Sequence, residues 1–597
     1  MNRTEGMRAR RGRGAGSAVL LVTVAVVATA CSTSPSTPGA TSSASGPAGS
    51  TPAGTTAATT VPQATNTGLV GGKLVIDNES GATWTCQFNP YNPSVNGPAV
   101  GFIYEPLVYV NPLQTNADGT PKTTPWLASD FSWNSAYTQL TFTIRSGVTW
   151  TDGQPFSADD VLYTFNAIKA DPVMDLNALW QSDGGPLTNV QKQGDNQVVF
   201  TFSGAAQTYF FYVADQSPII PQHIWSAFDQ KSLDTQQDQA PVGTGPYTMK
   251  ACSQDNIQYL RNDHYWQSTS GHPVPQIQEV DYPAFLSNDP ANLQLAQGQA
   301  QWGAQYIPNI DTYYVAPDPT HRHYWFPPVL NVSIVPNLEN PLLSNVAVRE
   351  AISLAINRAD VSKRGESGYE PPANQTGIVV PTYQSWYDAS ADTTAYDVTK
   401  AGQILQTAGF TKGSDGIYAD SSGHRLSFTI KTISGYTDWD SSVQVIQQQL
   451  KAAGIEIANI VDEDNGTYTT DLQKGNFELA YAEQTGGPGP YYELRQMLLG
   501  ANIGQTNYSR YKSAATDQLL NSFASSSPAD QLTIIKQIEQ VMVTDYPVIP
   551  VVDGVLWYQY DTTSIGGWPT PEDPYAQPPV WALPDNGVVL THLYPTQ

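Results

Sequence analysis

Residues that could do covalent or metal chemistry are thinly spread along this chain. Seven His and three Cys are scattered over 597 residues. None of the local spacings that build a reactive site is present: no His-Glu-x-x-His, no Gly-x-Ser-x-Gly, no Gly-x-x-x-x-Gly-Lys and no Cys/His cluster. His321 and His323 alternate, but two imidazoles without a third ligand suit a polar surface better than a metal. Asp462-Glu463-Asp464-Asn465-Gly466 is acidic enough to attract calcium, yet its spacing misses the EF-hand loop and fits a solvated turn. Any two of the 53 acids could meet in space as a glycosidase pair, and spacing alone singles out none. What remains is recognition. With 14% charged and 11% aromatic residues, Asn, Gln, Thr, Ser and Tyr carry most of the polarity, a surface suited to small, mostly neutral solutes. The net charge of −25 argues against nucleic acid, whose phosphates need clustered Lys and Arg. No metal, no cofactor and no enzymatic activity is expected.

The N-terminus sets the compartment. Arg3, Arg8, Arg10, Arg11 and Arg13 precede an apolar run from Ala15 to Ala30, shorter than the ~20 residues of a membrane span, so residues 1–30 read as a secretory signal. Val27-Ala28-Thr29-Ala30-Cys31 resembles a lipobox, with Ala28 where Leu is usual, and makes Cys31 the expected lipidation site. From residue 31 to 68 the chain is Ser, Thr, Pro, Gly and Ala with little to bury, the composition of a disordered tether. Cys86 and Cys252 then remain, and in an oxidising compartment such a pair is more often a disulfide than a metal site.

The elements that must position a binding site follow from patterning. Leu140, Phe142 and Ile144 alternate with polar residues as a strand, and Gly147 and Asp152-Gly153 supply turns. Ser157-Ala158-Asp159-Asp160 reads as a capping box before a helix carrying Val161, Leu162, Phe165 and Ile168. Further on, Val348, Ile352 and Ile356 form one helical stripe. Leu426, Phe428 and Ile430 form a strand, Val443 to Ala453 a helix closed by Gly454, and Ile455 to Ile460 another strand, which is an α/β unit. Taken in order, Arg145-Ser-Gly147-Val148-Thr-Trp150-Thr-Asp152-Gly153-Gln-Pro155-Phe156-Ser-Ala158-Asp-Asp160-Val161 resembles the signature of the family 5 extracytoplasmic solute-binding proteins of ABC importers. Glu105-Pro106-Leu107, Pro218 to His223, Gly243-Thr244-Gly245-Pro246, Arg261-Asn262 to Trp266, Val348-Arg349 to Arg358 and Tyr546 to Pro550 are similar to further family motifs, so the resemblance covers nearly all of residues 73–597.

The resemblance implies an α/β, two-lobed periplasmic-binding-protein-like fold, with mixed sheets flanked by helices and a hinge between the lobes. It places residues 69–281 in lobe I, 282–548 in lobe II and 549–597 back in lobe I, with the first crossing near Val280-Asp281-Tyr282. Cys86 and Cys252 then share lobe I, which makes pairing geometrically possible and leaves it open. The implied function is capture of an oligomeric solute between closing lobes and its delivery to permease subunits, by a monomer anchored outside the cell membrane through its lipid. Peptide-binding members hold the ligand ammonium with an Asp in a lobe II loop; Gly486 falls at that position, with Glu483 nearby as a substitute. Other stretches, Gln301-Trp302 to Asn309, Ser434 to Trp439 and Gly567 to Ala576, resemble the branch that binds cello- or manno-oligosaccharides. Pyranose rings stack on aromatic faces and their hydroxyls need amide and carboxylate partners. Trp302 and Trp439 are the leading stacking candidates, followed by Trp84, Tyr104 and Trp557. A neutral oligosaccharide is the favoured ligand and an oligopeptide the alternative; a secreted hydrolase or a surface sensor stands behind both.

Overall fold

The computed structural model describes residues 70–596 apart from 78–81, 93–97, 117–119, 181–184, 270–272, 393–394 and 485. The signal segment, Cys31 and the 31–68 tether lie outside the described residues.

Lobe I is built on a seven-stranded sheet, in the order Arg322–Tyr324, Gln559–Asp561, Trp302–Gly303, Gly71–Asp77, Ile277–Pro283, Asn256–Arg261 and Tyr247–Cys252. A four-stranded antiparallel sheet packs beside it, ordered Ala128–Trp133, Gln139–Ile144, Gln197–Phe202 and Leu187–Gln193. The alternation read in the sequence holds: Leu140, Phe142 and Ile144 are buried and meet Phe200 and Phe165 in one core. The Ala158–Ala170 helix starts with the expected capping box, in which the Ser157 hydroxyl accepts from Asp159 N–H and the Asp160 carboxylate from Ser157 N–H. Two orphan amides are thereby satisfied at the helix start.

The motif residues of lobe I converge on one carboxyl. Glu105 is fully buried and accepts from Trp126 Nε1 (2.7 Å), the Tyr265 hydroxyl (2.6 Å) and Trp266 Nε1 (3.0 Å). Arg145 of the signature donates from Nε to Trp126 O (2.6 Å) and lies 4.9 Å over the Trp266 ring. A carboxyl buried without partners is expensive, and these donors are what let it stay there. Cys86 and Cys252 are disulfide-bonded, tying the loop after the first strand to the end of the Tyr247–Cys252 strand.

Lobe II has its own core around a five-stranded sheet, ordered Glu456–Glu463, Ser427–Ile433, Leu479–Glu483, Pro328–Pro336 and Ile549–Val555. Ser427–Ile433 and Glu456–Glu463 pair in parallel across the Thr437–Ala453 helix, the α/β unit expected, and Gly454 ends that helix at φ +92°. Arg349 caps backbone rather than binding ligand, donating to Leu343 O, Asp545 O and Tyr546 O. Arg358 does the same for Ser353 O and Pro550 O.

The lobe boundaries differ from the sequence expectation. Ile277–Pro283 stays in the first sheet, and so do the two strands after it, Trp302–Gly303 and Arg322–Tyr324, so the first crossing falls between Tyr324 and Pro328 and not near Tyr282. Ile549–Val555 belongs to the second sheet, which puts the return between Val555 and Gln559. The sequence signal at both places is a strand, and a strand alone does not say which sheet it joins.

Candidate ligand-binding site

Two extended segments cross between the lobes side by side. Trp325 N–H donates to Tyr558 O (3.0 Å) and Leu556 N–H to Pro327 O (2.9 Å), making a two-stranded hinge. Aromatic rings pack on it: Trp557 lies 4.9 Å from Phe326 and 5.5 Å from Tyr306, and Phe326 lies 5.6 Å from Tyr369. Tyr306 of lobe I shares a 2.5 Å hydrogen bond with Ser367 of lobe II, and Ile310 N–H donates to the Tyr369 hydroxyl (3.0 Å).

The lobes also touch away from the hinge. Asn288 of lobe I donates from its backbone N–H to Gly435 O (3.3 Å), and from its amide to the Thr437 hydroxyl (3.2 Å) and the Asp438 carboxyl (3.4 Å). Gly435 has φ +94°, and a Cβ there would stand 2.2 Å from Leu286 O, so this approach requires glycine. In a separate contact, Tyr492 and Arg495 of the Pro490–Leu498 helix reach Thr208, Tyr209, Phe211 and Tyr212.

Around the first of these contacts lie four acids of lobe II. Glu366, Glu370 and Asp438 are buried, and burial raises all three carboxyls, Asp438 to about 7; the charge of Asp438 adds to the rise at Glu366 and Glu370, and that of Asp440 to the rise at Asp438. Glu483 ends its strand opposite Val332 of the Pro328–Pro336 strand. Glu483 is exposed, yet surrounding protein desolvates it and, with the charge of Asp438, raises its carboxyl to about 7. None of the four pairs with Lys or Arg among the described residues; Glu366 accepts from Ser442 and Glu370 from Val555 N–H. Such groups can accept or donate hydrogen bonds to hydroxyls, or compensate an ammonium.

Of the residues singled out in the sequence, the structure gathers some and removes others. Trp302 has no exposed surface; its indole donates to Pro578 O (2.9 Å) and meets Trp568 edge-on in the lobe I core, where no ligand reaches it. Trp84 is buried against Tyr282 and donates to Tyr282 O (2.8 Å), and Tyr104 is buried with its hydroxyl on Asp238 (2.6 Å). Trp439 follows Asp438 in the Thr437–Ala453 helix but is 5% exposed and turned to Tyr436 and Tyr481. Trp557 at the hinge and Glu483 keep open surface, as does Gly486, where a Cβ would stand 3.4 Å from Val329 O. Glu366, Glu370 and Arg495 were missed: they carry no motif, and only folding brings them to the interface.

His321 pairs with Asp318 (2.9 Å) and Asp464 caps the Asn465–Lys474 helix, which gives both suspected metal motifs ordinary local roles. Among the described residues, no group of three or more His, Cys, Asp or Glu side chains is placed to hold a metal ion.

Residues 122–505 match the model of the bacterial extracellular solute-binding proteins, family 5, and the chain belongs to that family. It is 26% identical over 428 residues to the oligopeptide-binding protein AppA of Bacillus subtilis, covering 68% of this chain and 73% of that one. The nickel-binding periplasmic protein of Escherichia coli is 22% identical over 420 residues, 69% of this chain and 76% of the relative. Among solved structures, a mannohexaose-bound periplasmic oligopeptide-binding protein from Thermotoga maritima superposes with a TM-score of 0.80 at 24% identity, over 88% of this chain and 99% of the other. AppA in complex with a nonapeptide gives 0.74 at 21% identity, over 89% of this chain and 100% of the other. The fold is that of the family 5 periplasmic binding proteins, and the protein is a solute-binding component of the ABC importer class.

Proposed function

We propose that this protein captures an oligosaccharide between its lobes and hands it to an ABC permease, held outside the membrane by a lipid on Cys31. The observation that carries the ligand class is the pairing of half-exposed rings at the hinge, Trp557 and Tyr369, with carboxyls near neutral pKa in lobe II, Asp438 and Glu483. Rings accept the apolar face of a pyranose, and carboxyls that both accept and donate suit its hydroxyls. Gly486, at the position where the family resemblance implies an aspartate in peptide-binding members, supports the same reading. So does the mannohexaose in the Thermotoga maritima protein.

A second reading has one observation in its favour. Among the described residues Glu366, Glu370, Asp438 and Glu483 have no Lys or Arg partner, which leaves Glu483 able to receive the ammonium of a peptide in place of the missing aspartate. A thermal-shift screen of mannohexaose, cello-oligosaccharides and mixed peptides separates the two, because a ligand of the native state raises its stability. The expected result is a rise with a glycan alone. A rise with peptides and none with any glycan would make the peptide reading correct.

A further inference from the structure

Arg495 occupies an unusual place for a guanidinium. It sits on the Pro490–Leu498 helix of lobe II with 2% of its surface exposed, and its charged end lies in lobe I. There its carbon centre is 5.1 Å from the ring centroids of both Tyr209 and Tyr212. One terminal nitrogen donates to the Tyr209 hydroxyl (2.9 Å) and to Asn177 O (3.3 Å). No carboxylate of the described residues pairs with it, and the two tyrosines supply the compensating negative potential. Tyr492, one turn earlier, packs against Phe211 (5.1 Å) and Tyr212 (5.6 Å) and donates to Thr208 O (3.3 Å).

We propose that Arg495, clamped between Tyr209 and Tyr212, is an interlobe latch that biases the two lobes towards closure before any solute binds. The argument is one of solvation. A guanidinium withdrawn from water needs its partners in full, and both flanking rings, the hydroxyl and the carbonyl belong to the opposite lobe, with only Tyr491 of its own helix adding to them from lobe II. Opening the lobes returns Arg495 to water and leaves Tyr209 and Tyr212 without their cation. The latch therefore acts on the open–closed equilibrium, and a solute has that much less closure free energy to supply. It is a positioning residue, since nothing places it against the ligand space beside Glu483.

The far contact provides a reporter. Asn288 N–H is the first amide of its helix, has no partner within that helix, and donates across the interface to Gly435 O (3.3 Å). Its hydrogen exchange therefore reads lobe opening at a site remote in sequence from the latch. In the ligand-free full chain, Arg495→Met should speed exchange of the Asn288 amide by about tenfold or more, the scale of a desolvated cation–π contact. Tyr212→Leu, made from the other lobe, should do the same, and the double variant should add little because both remove one contact. Faster exchange confined to the Pro490–Leu498 helix, with Asn288 unchanged in both variants, would reduce Arg495 to local packing and overturn the latch. Should Arg495→Met fail to fold, Tyr212→Leu alone decides between the two outcomes.

Discussion

Trp302 led the stacking candidates in the sequence and Trp557 stood behind it, and the fold gives the two rings different surroundings. Trp302 lies on a two-residue strand between Gly71–Asp77 and Gln559–Asp561, and that register turns its ring into the lobe I core. Trp557 lies on the return crossing with part of its ring open. Substituting each by Ala should separate stability from capture. Trp302→Ala should destabilise the protein by about 3–5 kcal/mol, the usual cost of emptying a large core site. Trp557→Ala should leave the melting temperature within a few degrees of the parent and weaken solute binding about tenfold, the scale of one lost stacking contact. Thermal unfolding and calorimetric titration with whichever solute the screen returns would check both. A Trp302→Ala protein that melts normally and binds weakly would put that side chain back in the site.

The strand, turn and helix running from Gln139 to Ala170 were legible because each is fixed by neighbours in sequence: alternation, turn glycines and a capping box. The Ser427–Glu463 unit was legible for the same reason. What could not be read was which sheet a strand joins, and so Trp302–Gly303, Arg322–Tyr324 and Ile549–Val555 were expected on the wrong side of the hinge. The same limit hid Glu105 as the partner of Trp126, Tyr265 and Trp266, whose motifs are up to 161 residues away along the chain. At the element scale the sharpest test is the start of the Thr437–Ala453 helix. Gly435→Ala forces a side chain into a positive-φ site and against Leu286 O of the other lobe. It should hold the lobes apart, lowering solute affinity while lobe II keeps its secondary structure by circular dichroism. Unchanged affinity would show that this contact does not take part in closure.

At the scale of the molecule, acids are the dominant unpaired charge of the interior. Burial raises Glu105 and Asp438 to about 7, and Glu493 and Asp553 to about 8. In the unfolded chain these groups return to roughly 4, the ordinary carboxyl range. The folded state therefore binds more protons than the unfolded state between those limits. Its stability from these groups is complete below the unfolded value and is lost as pH rises through 7 and 8. Surface carboxylates held low by their hydrogen-bond and cationic neighbours, such as Asp420 beside His424 and Asp471 beside Lys431, act oppositely and withdraw their contribution only in stronger acid. The two sets leave a maximum on the mildly acidic side, so the midpoint of thermal unfolding should be higher at pH 5.5 than at pH 8, by roughly the several degrees that each 1 kcal/mol moves a domain. The lobe II acids also surround the proposed ligand space, so Asp438→Asn together with Glu483→Gln should flatten that slope as well as change solute affinity. A midpoint that climbs steadily from pH 5.5 to pH 8 would mean these carboxyls find compensating partners in solution, and the ammonium-binding reading would lose its physical basis with them.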